Sequence, residues 1–72
     1  MKVSHVTLFL KSNVKALDGR TAVDFTEGDQ YQDLHYIVRE GQHIVNYTVA
    51  RTGKRHGVSL SVHDVAQVNT VL

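Results

Sequence analysis

Seventy-two residues, with no cysteine, no proline and a formal net charge of +1, define a single small domain spanning 1–72. Without cysteine there is no disulfide, no thiolate metal ligand and no thiol nucleophile, which sets aside small secreted scaffolds and suits a reducing compartment. The near balance of charge argues against a dedicated nucleic-acid binder. No apolar run approaches the ~20 residues of a membrane span or forms a signal-peptide core, so the chain is expected to be soluble and cytoplasmic.

Residues 3–12 predict a first strand, with Val6, Leu8 and Leu10 on one face and His5, Thr7 and Phe9 on the other. Val14 and Ala16 extend the Val6 parity to Asp18-Gly19, a pair that tolerates positive φ and signals a hairpin turn. That turn sets Ser12 against Phe25, Val14 against Val23 and Ala16 against Thr21, with a second strand over 20–26. The polar Ser12-Asn13 pair predicts a bend or bulge in the first arm. Residues 26–32 read as a polar loop around Gly28.

From Leu34 to Val62 the chain predicts two consecutive hairpins with their apolar residues on one face. A two-residue turn at Glu40-Gly41 places Val38 opposite His43, Tyr36 opposite Val45 and Leu34 opposite Tyr47. A second turn at Thr52-Gly53 places Val49 opposite His56, Tyr47 opposite Val58, Val45 opposite Leu60 and His43 opposite Val62. The other face is polar apart from Ile37 and Ile44, which form a small apolar island. In the tail, Val65, Val68, Val71 and Leu72 follow helical spacing, and Ser61 with Asp64 resembles a capping pair. A short C-terminal helix is the expectation, with an extended tail as the alternative, because three valines disfavour a helix.

These elements give a mostly β protein, α+β if the tail is helical. The expectation is an antiparallel meander of about five strands, as an open sheet or a small barrel. Its apolar face must be covered, either by curling of the sheet or by a second copy, so a homodimer is one expected solution.

Two charged segments are the candidate partner-binding sites. The tip of the second hairpin carries Arg51, Lys54, Arg55 and His56. Its cations could meet phosphates or an acidic protein surface, and a β-ribbon fits a major groove. Stacking aromatics are missing from the tip, which counts against single-stranded nucleic acid. The acidic stretch contributes Asp24, Glu27, Asp29 and Asp33, with Tyr31 as an exposed aromatic anchor. Its spacing does not match a calcium loop.

Five histidines without tight ligand spacing do not define a zinc site. Ser61, His63 and Asp64 are triad residue types, but neighbours in sequence cannot adopt triad geometry. Thr52-Gly53-Lys54 lacks the remainder of a phosphate loop. No catalytic residue, metal or cofactor is therefore assigned. The expected function is that of a non-enzymatic regulator or inhibitor occupying a surface on a larger protein or complex. A nucleic-acid-binding regulator using 51–56 and a self-assembling structural subunit are the alternatives, and no membrane partner is expected.

Overall fold

The computed structural model describes residues 1–13 and 19–72. The strands are β1 (His5–Leu10), β2 (Ala22–Thr26), β3 (Tyr31–Arg39), β4 (Gln42–Val49), β5 (Arg55–Ser61) and β6 (Val65–Val71). They form two three-stranded antiparallel sheets, β2-β1-β6 and β3-β4-β5, whose inner faces share one core. The mostly β, antiparallel, open-sheet expectation is met, with a sixth strand where a helix was expected. Among the described residues there is no helix, and none long and apolar enough to cross a membrane.

The tail corrects the helical reading, and the reason is specific. Along β1 and β6, Leu8 faces Val68 and Leu10 faces Val65, with a bulge between Phe9 and Leu10. The extra residue of the bulge lets Val65 and Val68 both face the core although they stand three apart. A bulged strand thus imitates helical spacing. The Ser61–Asp64 pair closes a turn instead of capping a helix: Asp64 N–H donates to the Ser61 carbonyl at 3.0 Å, and His63 N–H to Ser61 Oγ at 3.2 Å.

The first hairpin also pairs differently. Phe25 faces Val6 and Val23 faces Leu8, not Ser12 and Val14. This register sets apolar residue against apolar residue, whereas the tight turn would have set polar Ser12 against core Phe25. Val14, Ala16 and Asp18 lie outside the described residues.

In β3–β4 the expected register holds for Val38–His43 and Tyr36–Val45. Glu40 and Gly41 have φ of 52° and 75°, the doubly left-handed turn that matches strand twist. A bulge between Gln32 and His35, with Asp33 at φ 52°, removes the expected Leu34–Tyr47 pair and sets Tyr31 against Val49. In β4–β5 the loop is longer than Thr52-Gly53. Val49 N–H donates to the Lys54 carbonyl at 2.9 Å, and Thr52 and Gly53 N–H both donate to the Val49 carbonyl. Tyr47 therefore faces His56, Val45 faces Val58 and His43 faces Leu60. The slip is even, so each side chain keeps its face although its partner changes.

Val3, Val6, Leu8, Leu10, Phe25, Leu34, Tyr36, Val45 and Val65 are buried, with Val23, Tyr31, Tyr47, Val58, Leu60 and Val68 packed around them. Burying each large aliphatic contributes roughly 1.5–3 kcal/mol. Val38, expected in the core, is 51% exposed at the hairpin end, and Val62 lies in the turn to β6. Residues 1–3 run along the free edge of β3, where Val3 N–H donates to Leu34 carbonyl at 3.1 Å and Tyr36 N–H to Met1 carbonyl at 2.8 Å. The chain then crosses into the other sheet as β1.

Candidate functional site

The acidic stretch does not act as one patch, because most of its carboxylates are engaged within the fold. Asp24 lies on the outer face of β2, accepting a hydrogen bond from Thr7 Oγ1 and lying 2.5 Å from His5 Nε2. The Thr7 bond first, and His5 second, hold its carboxyl below the usual 3.8. Glu27 pairs with Lys2 Nζ at 2.8 Å and accepts Leu34 N–H at 3.1 Å, which together lower its pKa from 4.5. Asp33 sits between Lys2 Nζ at 3.4 Å and Arg55 Nη1 at 3.3 Å. Of the four, Asp29 alone makes no ion pair among the described residues.

The basic tip is divided in the same way. Arg51 and Lys54 are exposed in the loop, whereas Arg55 and His56 begin β5. Arg55 was expected to project outward, yet its guanidinium folds back over the outer face. It donates to the Asp33 carbonyl at 2.9 Å, to Thr48 Oγ1 at 3.1 Å and to Asn46 Oδ1, and lies 3.2 Å from His35 Nδ1. At the bulge where Asp33 takes a positive φ, both its carbonyl and its Oδ2 accept from Arg55 Nη1. His56 stacks against Tyr47, with centroids 6.1 Å apart and planes at 14°.

What remains available converges at one end of the molecule. Ala50 N–H donates to the Gln30 carbonyl at 3.2 Å and ties the acidic loop to the tip. Between them lies an open recess of about 330 Å³ lined by Asp29, Gln30, Tyr31, Val49 and Arg51. Tyr31 is not the free loop anchor expected from sequence. It starts β3, half-buried, and packs edge-on against Tyr47 at 4.6 Å and Phe25 at 5.8 Å. The aromatic cluster holds its ring, and the residue lines the recess together with Asp29 and Arg51. The structure thus brings Asp29, Tyr31 and Arg51 together. It draws Glu27, Asp33 and Arg55 into internal pairs and leaves Lys54 and His56 outside the recess.

A second shallow recess of about 330 Å³ lies on the outer face of β3–β4, lined by residues including His35, Ile37, Arg39, Ile44 and Arg55. The Ile37–Ile44 island was its sequence signal; Arg39 carried none. Among the described residues no group of three or more His, Cys, Asp or Glu converges as a metal site. His43 instead lies with Nδ1 2.8 Å from Tyr36 Oη. Burial holds that phenol above its usual pKa of 10.0.

Fold and site together define a small all-β protein with a mixed-charge recess between two loops. Comparison of the chain with protein-family models, curated proteins and solved structures gives no match to any of them.

Proposed function

We propose that this chain is a non-enzymatic binding protein that regulates or inhibits a larger protein or complex by occupying part of its surface. The observation that carries this reading is the recess lined together by Asp29, Tyr31 and Arg51. Opposite charges beside an anchored aromatic suit a protein surface, where a complementary ion pair on each side sets orientation and the ring supplies contact area. A phosphate backbone is less well served, because the acidic Asp29 lines the recess and Arg55 is committed to Asp33.

Affinity capture from a cell extract, followed by mass spectrometry, tests the proposal. One macromolecular partner is expected with the unaltered chain, and its loss with Asp29→Arg or Arg51→Glu. Both substitutions fall on exposed loops, so circular dichroism should be unchanged. Capture of nothing above background, or of a partner indifferent to both substitutions, would refute it. A captured nucleic acid whose binding falls steeply with salt and disappears when Arg51 and Lys54 are neutralised supports the alternative regulator.

A further inference from the structure

The two sheets leave strand edges that differ sharply in how they are protected. The free edge of β3 is covered by residues 1–3. On the same side of the molecule, β2 carries Asp24 on its edge, and the loop that follows it folds back through Gly28 N–H to the Tyr31 carbonyl at 2.8 Å. On the other side, β5 opens with Arg55 and His56 and has Gly57 within it. Charge and glycine are both unfavourable to further pairing. Among the described residues, only β6, Val-Ala-Gln-Val-Asn-Thr-Val, has no charge, no glycine and no covering segment on its free side.

We propose that β6 pairs with β6 of a second copy of this chain, antiparallel across a twofold axis. The strand is self-complementary in this arrangement. Leu8, an inner residue, faces Val68, and outer Thr7 and Phe9 face Asn69 and Gln67. Val68 is therefore inward, and Gln67 and Asn69 are outward. With the axis at Val68, Val68 meets its own counterpart, and Gln67 meets the copy's Asn69. The amides on the outer face continue the Gln67 Nε2–Asn69 Oδ1 hydrogen bond of 2.8 Å already present within one chain.

On the inner face, the half-buried Val68 gains a cover that its own sheet does not provide. Because the strand is uncharged, no like charges are brought together, and a net charge of +1 adds little repulsion between copies. The product is one continuous six-stranded sheet with isologous contacts. The interface is separate from the loop recess, so it stands whether or not the partner-binding proposal does.

Sedimentation velocity of the full chain over a concentration range reaching about 100 μM tests this, a range suited to micromolar self-association. The expected result is a mass twice the 8.1 kDa of one chain. The double substitution Gln67→Lys with Asn69→Lys places ammonium groups side by side across the axis, and should weaken association at least about tenfold. Both residues are exposed, so far-UV circular dichroism should report a retained fold. Ser59→Lys, on exposed β5, is the control and should leave the dimer intact. A chain that stays monomeric throughout, or a dimer that survives the β6 substitutions but not Ser59→Lys, overturns the proposal.

Discussion

At the residue scale, the side chains that matter most for local geometry are those with few substitutes. Arg55 binds Asp33, Asn46 and Thr48 through one planar fork, which a lysine cannot reproduce. Its side chain is 41% exposed, so the contribution is reduced by solvent; Arg55→Ala should cost about 1 kcal/mol in chemical denaturation, with little recovery from Arg55→Lys. Glu40 occupies a left-handed position at φ 52° that asparagine adopts more readily. Glu40→Asn should stabilise by ~0.5 kcal/mol and raise Tm by a few degrees, measured by thermal unfolding.

Acid sensitivity is also set at this scale. Asp24 and Glu27 are held below 3.8 and 4.5 in the folded state. A depressed folded pKa gives stability that is complete above the unfolded value and is lost as pH falls through the folded one. Unfolding should therefore become easier below about pH 4.5, while stability changes little through these two groups above it. Thr7→Val removes the largest influence on Asp24 and should move its carboxyl titration upward, as followed by NMR.

At the element scale, period-two alternation is strong evidence for a strand and weak evidence for its partner. The hairpin of β3 and β4 was legible because Glu40-Gly41 leaves few registers open, and Tyr36 and Val45 met as expected. The β4–β5 pairing was not, because an even slip keeps every face and only the hydrogen bonds of the loop decide between the two registers. The β6 strand was hidden by its bulge, which gives Val65 and Val68 the spacing of a helix. The recess was half legible. Asp29, Tyr31 and Arg51 could be named individually, but their meeting depends on the Ala50–Gln30 bond between segments far apart in sequence. The capture of Arg55 by Asp33 depends on a bulge that alternation does not encode.

At the scale of the whole molecule, a short list of side chains carries the core. Leu8 is 1% exposed on the central strand of its sheet and Leu34 is fully buried on the other sheet. Leu8→Ala should cost ~2–5 kcal/mol, a large share of the roughly 4–11 kcal/mol expected for a domain of this length. Partial or complete loss of the folded state at 37 °C is the expected reading by circular dichroism. By contrast, Phe9→Ala, on the outer face at 37% exposure, should change stability far less, because little packing is lost.

The pairing of β1 with β6 brings His5 beside Val71, and so the last strand must find the first. The β3-β4-β5 sheet closes through short turns and can form from local encounters alone. The β1–β6 half of the second sheet must wait for closure of a loop spanning almost the whole of residues 5–71, and loop closure of that kind slows folding. Pulsed hydrogen exchange should find amides of β3 and β4 protected before those of β1 and β6. During synthesis, β1 can pair with β2 soon after both have emerged, but its other edge stays open until β6 follows.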